Sequence, residues 1–451
     1  MSMSYPQVLK YLNSFVNYEK NINYSYRDAI KLKRVKGFLS LIGNPQDSLR
    51  VIHVAGTKGK GSTCAFIAYI LRQAGFRTGL YTSPHLHDFR ERIRILSPRS
   101  YPQCSGRLNV RYIVDKCMVD NSKQSAYPLK SDFEGMIFRK NLSSIVKELK
   151  PVINNYNRRS KYGPLTFFEV YTAIAFLYFK RKEVDFAVLE TGMGGSLDAT
   201  NAADSLACAI TPISYEHVQK LGRTIKQIAR QKAGIIKQKG GIVFSTPQVK
   251  EASGVIRNRC KKFKAKLFLT GRQMDVCKNL RLPLLGEHQR INASLAVSLV
   301  KGLGASGFSI RQSDIIKGLK NTVWPGRCEV IQKKPFIVLD GAQNAASAEV
   351  LRKAVEANFK YQNLIMVLGI SDDKDIKGIS KELLPLADEV ILTRAATLRA
   401  MEPPKMARYF KKAHLTQSVK EAKILAGSLA TSRDLILVTG SLFVVGEFRS
   451  V

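Results

Sequence analysis

The chain has 451 residues, 45% apolar and 24% charged, which excludes a disordered or collagen-like protein and points to two or three folded domains. Its 72 basic residues against 35 acidic ones give a net charge of +37. These charges are spread along the chain, which argues for a solvated basic surface or attraction of small polyanions over a dedicated nucleic-acid tail.

No apolar run is long enough to span a bilayer, and Met1–Lys20 lacks the apolar centre of a signal peptide. The seven cysteines (64, 104, 117, 208, 260, 277, 328) form no Cys-x-x-Cys pair. We therefore expect a cytoplasmic protein with free thiols, without a disulfide framework or a zinc site.

The first buried strand is expected at Val51–Val54, and it runs into Gly56-Thr57-Lys58-Gly59-Lys60-Gly61-Ser62. Apolar spacing over Thr63–Ala74 predicts a helix directly after it. A strand, a glycine-rich turn and a helix aim several backbone N–H groups at a phosphate, and the helix dipole adds positive potential. Lys60 then supplies a point charge to the β/γ-phosphates, and Ser62 or Thr63 a hydroxyl near a metal ion. The spacing departs from the usual P-loop, because only Thr57 and Lys58 separate Gly56 from Gly59 and a glycine follows Lys60.

Further strands are expected at Thr78–Tyr81, Phe186–Leu189, Ala207–Thr211, Ile242–Phe244, Phe336–Leu339, Leu364–Leu368, Glu389–Leu392 and Leu435–Thr439. Helices such as Phe168–Phe179 and Gln289–Lys301 lie between them. This alternation predicts an α/β protein with mainly parallel sheets, whose ligands bind at the carboxyl ends of strands. Leu96–Gly135 breaks the rhythm and reads as an insert of loops and short strands. Trp324-Pro325-Gly326-Arg327 interrupts a helix-to-strand transition. We place a first domain at residues 1–322, a linker at 323–328 and a smaller doubly wound domain at 329–451.

Several loops carry candidate chemistry. Phe186–Glu190 ends a buried strand in a carboxylate, where ATP-using enzymes hold Mg²⁺ beside the phosphates. The next strand leads to Glu216 and His217, and in that position His217 is a plausible second metal ligand. Lys232, in the short helix that follows, reads on composition alone as a surface lysine. Phe167, Phe168 and Phe176 at helical spacing read as core. Ser371–Asp375 fits either a phosphate or glutamate pocket or a solvated turn.

These motifs, in one order along the chain, resemble the folylpolyglutamate synthase/dihydrofolate synthase family, the folate branch of the Mur ligases. The resemblance is carried by Gly56–Ser62, Thr82–Leu86 with Arg90–Ile93, Thr166–Glu169 and Glu190–Asn201. It continues through Lys232–Lys237, Gly286–Gln289 with Asn292 and Ala293, Pro325–Arg327, Asp340–Asn344, Asp373–Asp375 and Gly440–Phe443. It implies a P-loop Mur-ligase-like first domain, and a second domain that closes on ATP and carries the amino acid site. It implies an ATP-dependent ligase that adds L-glutamate to a folate or dihydropteroate carboxylate through an acyl phosphate.

The resemblance also implies roles for single residues. Lys60 becomes the P-loop lysine, and Gly56, Thr57, Lys58, Gly59, Gly61 and Ser62 the rest of the phosphate loop. Ser83, Glu190 and His217 become ligands of the ATP-bound Mg²⁺, and Lys232 a carbamylated lysine that binds a second Mg²⁺. Lys60, Lys232 and His217 form the expected catalytic set. Gln289, Asn292, Arg327, Asp340 and Gln343 would hold adenine, ribose and phosphates, and Asp198 would contact the pterin. His85 and Glu169 line the expected cleft without an assigned role.

The sequence departs from the family pattern at Lys58 and Gln343, which stand where Asn and His are usual. Glu216, Gln231 and Ala345 likewise replace Asp, Glu and Pro. A glutamine donates a hydrogen bond to phosphate but carries no charge. The expected partners are ATP, L-glutamate and a folate or dihydropteroate, in a monomer with no specific nucleic acid and no membrane. Two alternatives stand beside this reading. One is another Mur-type amino acid ligase; the other, motivated by net charge alone, is a nucleic-acid-stimulated P-loop NTPase.

Overall fold

The computed structural model describes residues 3–19, 24–98, 133–270 and 280–451. Among the described residues thirteen strands form two sheets. The first comprises β1 (Val51–Ala55), β2 (Thr78–Tyr81), β3 (Ile93–Leu96), β4 (Phe186–Glu190), β5 (Ser205–Ile210), β6 (Ile242–Ser245) and β7 (Lys266–Leu269). The second comprises β8 (Glu329–Lys333), β9 (Phe336–Leu339), β10 (Leu364–Leu368), β11 (Glu389–Leu392), β12 (His414–Leu415) and β13 (Leu435–Thr439).

The first sheet has the order β3-β2-β4-β1-β5-β6-β7, and the second β12-β11-β10-β13-β9-β8. Only the edge strands β3 and β8 run antiparallel to their neighbours. The expected α/β architecture with two mainly parallel sheets is the one observed. Strands β1 and β4 are buried at every position, as a parallel strand covered on both faces requires.

Helix Lys60–Gln73 begins three residues earlier than its apolar spacing suggests, because the glycine loop feeds straight into its first turn. Almost every side chain of this helix is buried. It lies between the first sheet and helices Glu287–Ala305 and Gln312–Lys320, whose Leu295, Leu299 and Leu319 join Phe66, Ile67 and Ile70 in one core. On the other face, helix Phe167–Arg181 packs Val170, Ile174 and Phe176 against β4. A capping box with Thr166 and Glu169 starts that helix, and buried Arg34 pairs with Glu169 at 2.8 Å. Glu169 is thereby a structural anchor of the helix, which supplies the role its motif position left unassigned.

Strands β3, β7, β8 and β12 were not among the expected elements. They are short edge strands, and Arg94, Lys266 and Glu329 interrupt their apolar character. The ends of the expected insert meet across β3, where Ile95 N–H donates to the Gly135 carbonyl at 2.7 Å. Residues 99–132 of that insert lie outside the described residues.

Candidate active site

In the first sheet β1 has β4 on one side and β5 on the other, so the chain order reverses at β1. Such a switch point splays the loops that leave neighbouring strands and opens a crevice at their carboxyl ends. Three of the expected site segments leave from those ends: Gly56–Ser62 after β1, the loop after Glu190 in β4, and the loop to His217 after β5.

The glycine loop is held by contacts in which a side chain at Gly56 or Gly59 has no space. Gly56 has φ +149°, and a Cβ there would lie 1.8 Å from the Thr211 hydroxyl oxygen. Gly59 has φ +82°, and its Cβ would lie 2.1 Å from Asn292 Oδ1. Thr57 N–H donates to the Pro212 carbonyl at 2.9 Å, and its hydroxyl donates to the Ser214 carbonyl at 3.1 Å. The phosphate loop is thus tied to the segment that carries Glu216 and His217. Trp324, the single tryptophan, packs against the same loop, within 2.9 Å of where a Gly61 Cβ would stand.

Glu190 is buried at the end of β4, and its Oε2 accepts from the Ser83 N–H at 3.1 Å. Burial pushes its carboxyl up, opposed by the positive charges of Lys60 and Arg327. His217 adopts a left-handed backbone with φ 49°, which turns it into the cleft at the start of a short helix. Loss of hydration lowers its pKa; Glu216 opposes this, while Lys232 and Lys60 add to it.

Lys232 is buried at 2% exposure, contrary to the surface position that composition suggests. It closes helix Ile225–Lys232, and its Nζ donates to the Gly56 carbonyl at 2.6 Å. Burial, and after it the charge of Lys60, push its amine down to about 7. Burial thereby favours the uncharged amine, the form that reacts with electrophiles.

Asp198 is buried and organises its own loop. Its Oδ2 accepts from Met193 N–H at 2.9 Å, and its Oδ1 from Thr200 N–H at 3.0 Å and the Thr200 hydroxyl at 2.6 Å. His53 Nε2 lies 2.8 Å from the same hydroxyl oxygen. The single hydroxyl proton goes to the carboxylate, so His53 donates from Nε2, and its buried Nδ1 has no partner. His53 sits in the middle of β1 and was not among the expected residues. A lone histidine in an apolar strand carries no sequence signal.

Burial, reinforced by the charge of Lys237, lowers the His53 pKa to about 3. Between about pH 3 and the ordinary value of 6.5 the unfolded chain binds a proton here that the native chain does not. His53 therefore removes stability as pH falls through that window, with a slope approaching ~1.4 kcal/mol per pH unit. Buried Glu190 and Asp198, whose carboxyls are pushed up, act in the opposite sense. We expect His53→Gln to flatten the acid dependence relative to the parent chain, read by urea unfolding between pH 4 and 7. Identical slopes in the two proteins would refute this assignment.

The second sheet supplies the opposite wall. Asp340, just after β9, accepts from Cys328 N–H and Ala342 N–H, each at 2.8 Å; burial pushes its carboxyl up, opposed by the charge of Arg327. Asn292 Nδ2 donates to Gln289 Oε1 at 3.0 Å, both buried against the glycine loop. Gln343 is exposed and borders the cleft, with its backbone N–H donating to Ser347 Oγ at 3.1 Å. The cleft between the two walls holds about 620 Å³ and is bordered by every expected phosphate-loop, metal, nucleotide and pterin residue except Gly56.

Residues 326–442 match the Mur ligase, glutamate ligase domain. The chain is 30% identical to the dihydrofolate synthase/folylpolyglutamate synthase of Bacillus subtilis, over 93% of this chain and 94% of that protein. The chain belongs to the dihydrofolate synthase/folylpolyglutamate synthase family.

It is also 33% identical to a probable bifunctional folylpolyglutamate synthase/dihydropteroate synthase of Haloferax volcanii, over 92% of this chain. The chain spans about half the length of that relative, 48%. Among solved structures, the Mycobacterium tuberculosis folylpolyglutamate synthase complexed with ADP superposes with a TM-score of 0.80 at 27% identity, covering 99% of this chain and 97% of that one.

Part of the cleft lining is aromatic. Tyr24, Tyr26, Phe168 and Met193 border it, and the Tyr26 hydroxyl donates to the Met193 carbonyl at 3.2 Å. Phe167 and Phe176 are core as expected, but Phe168 is not. It is partly exposed and borders the cleft, and its ring packs on Gly192, where a Cβ would come within 2.7 Å.

His85 accepts from Arg92 Nε at 2.9 Å, and Arg92 pairs with both oxygens of Glu19. Arg399, from the loop after β11, donates to the Glu19 carbonyl at 2.6 Å and pairs with Asp373 at 2.7 Å. Of the Ser371–Asp375 motif, Ser371, Asp373 and Lys374 face the cleft, whereas Asp375 caps helix Ile376–Leu383. Neither Glu19 nor Arg399 carried a motif by which sequence reading could single it out.

Proposed function

We propose that the chain is an ATP-dependent ligase that joins L-glutamate to the carboxylate of a folate or a dihydropteroate through an acyl phosphate. The observation that carries this reading is one cleft lined both by the glycine loop with Lys60 and Arg327 and by the aromatic side chains of Tyr24, Tyr26 and Phe168. A flat heterocycle stacked near Tyr24, Tyr26 and Phe168 would extend its carboxylate toward Lys60 and the γ-phosphate.

A carboxylate at neutral pH is a poor electrophile with a poor leaving group, and this defines the task of the site. In the proposed first step a carboxylate oxygen forms a bond to the γ-phosphorus, and the bond from phosphorus to the ADP oxygen breaks. The glutamate amine then attacks the acyl carbon, phosphate departs, and the amine loses a proton. Lys60, Arg327 and the loop N–H groups hold the charge that spreads over the transferring phosphoryl group. We assign Gln289, Asn292, Asp340 and Gln343 to the nucleotide and Asp198 to the pterin.

Ser83, Glu190 and His217 would hold Mg²⁺. The set fits that ion: buried Glu190 has just one backbone donor among its hydrogen bonds, which leaves oxygen lone pairs facing the phosphate loop. Among the described residues no three His, Cys, Asp or Glu side chains form a closed cage, as suits a cation that completes its shell with phosphate and water. When bound, Mg²⁺ would neutralise phosphate charge and align the oxygens. The uncharged amine of Lys232 fits carbamylation by CO₂, which forms an N–C bond, releases one proton and converts the neutral amine into an anion able to hold a second Mg²⁺.

We place the protein in the cytoplasm as a monomer. No described helix is long and apolar enough to cross a membrane, and Cys64, Cys208, Cys260 and Cys328 are buried free thiols. The deciding assay offers purified protein ATP, Mg²⁺ and glutamate, with dihydropteroate and tetrahydrofolate in separate reactions. We expect ADP and a glutamylated product from at least one acceptor. ATP hydrolysis stimulated by DNA or RNA, with no product from either acceptor, would overturn the proposal.

A further inference from the structure

Lys58 is the phosphate-loop residue that the chemistry above leaves without work. It is half-buried and borders the cleft, yet its Nζ points away from the loop, to Asn344 Oδ1 of the second domain at 3.5 Å. Asn344 caps helix Ala345–Asn358, and its Oδ1 also accepts from Ser347 N–H at 2.9 Å. Lys58 therefore joins the loop after β1 of one sheet to the first helix after β9 of the other.

This placement is electrostatically costly without an anion. The start of a 14-residue helix carries partial positive charge, and Lys58 brings a full positive charge to it. Lys60, Arg327 and Lys374 border the same cleft. Glu216, in the His217 loop, and Glu349, in the second turn of the capped helix, favour the Lys58 charge against its burial. Two carboxylates offset part of the repulsion, and a polyphosphate lying between the walls would remove much of the rest.

We propose that Lys58 is a positioning residue that couples nucleotide binding to the docking of the second domain, through its contact with Asn344. The proposal rests on the nucleotide reading of the cleft. A ligand that stabilises the docked arrangement must bind that arrangement more tightly, and Lys58 is the side chain through which the loop senses the far wall.

The test is a double-mutant cycle on the affinity for a non-hydrolysable ATP analogue with Mg²⁺, measured by calorimetry on the full chain. Lys58→Met removes the charge and keeps the length. Asn344→Ser retains a helix-capping hydroxyl and is too short to meet Lys58. We expect Lys58→Met to weaken analogue binding about tenfold, the scale of one charged hydrogen bond. In the Asn344→Ser background the same change should weaken it less than about threefold, because coupled sites are not additive. Lys58→Asn, too short to cross the cleft, should behave as Lys58→Met does. X-ray scattering should show analogue-induced compaction that is reduced in each variant.

Equal factors in both backgrounds would overturn the coupling and leave Lys58 as a plain phosphate contact, as would unchanged compaction. Absence of analogue binding in the parent chain would instead overturn the nucleotide reading on which the coupling stands. Circular dichroism of each variant separates loss of fold from loss of coupling, and the Lys58→Asn arm supplies a second variant if Lys58→Met fails to fold.

Discussion

Lys60→Ala is expected to lower the rate of ligation about 10³-fold, the scale seen when one preorganised group is removed from a developing anion. Lys60 stands at the first position of helix Lys60–Gln73, within 3.5 Å of the Thr57 carbonyl. Its charge opposes protonation of Glu190 and helps keep both His217 and Lys232 from being protonated. The substitution therefore removes the proposed phosphate ligand and also relaxes the electrostatics of three neighbours. The side chain is partly exposed and makes no core contact, so the melting temperature should move little. Initial rates of ADP release with saturating acceptor and glutamate, beside a thermal melt, check both parts. Activity within tenfold of the parent would remove Lys60 from the catalytic set.

Gly56→Ala should damage both fold and activity. The added methyl would stand 1.8 Å from the Thr211 hydroxyl and 2.9 Å from the Thr211 carbonyl oxygen. The hydroxyl can rotate away, but the carbonyl belongs to the backbone leaving β5. Relief therefore requires the loop to move from its partner segment, and with it the N–H groups aimed at phosphate. Backbone strain and overpacking of this kind cost about 1–3 kcal/mol each. We expect ~3 kcal/mol lost in urea unfolding and nucleotide affinity reduced at least 100-fold. Gly43→Ala is the control: φ there is also positive, at +75°, but nothing lies within 4 Å of the added carbon. It should cost about 1 kcal/mol and leave affinity unchanged. Equal effects at the two positions would show that backbone conformation, rather than the Thr211 contact, governs the loop.

The central strands were legible because parallel strands covered on both faces must be continuously apolar, as Val51–Ala55 and Leu364–Leu368 are. Edge strands obey no such demand, and Arg94 and Lys266 break the apolar runs of Ile93–Leu96 and Lys266–Leu269. In the site, residues with a local motif were visible: the glycine loop, the carboxylate ending β4, the histidine after β5. Residues whose work depends on distant neighbours were hidden. His53 acquires meaning only beside Thr200, and Arg399 only beside Glu19, 380 positions away in sequence. Helical spacing suggests core at Phe168 because it cannot tell a face against a sheet from one that borders a cleft.

The sequence by itself determined the α/β class and the glycine turn between β1 and the helix that follows it, because each rests on local periodicity or on a turn closed within a few residues. Only the tertiary structure decided which lysine is buried. Lys232 and Lys58 are each one basic residue among 72, but one is enclosed against the Gly56 carbonyl and the other reaches the second domain. Burial and apposition depend on how strands β1, β4 and β5 are ordered and on what the second sheet brings across the cleft. Hydration loss and neighbouring charge then give identical side chains different chemistry, and no local pattern records either.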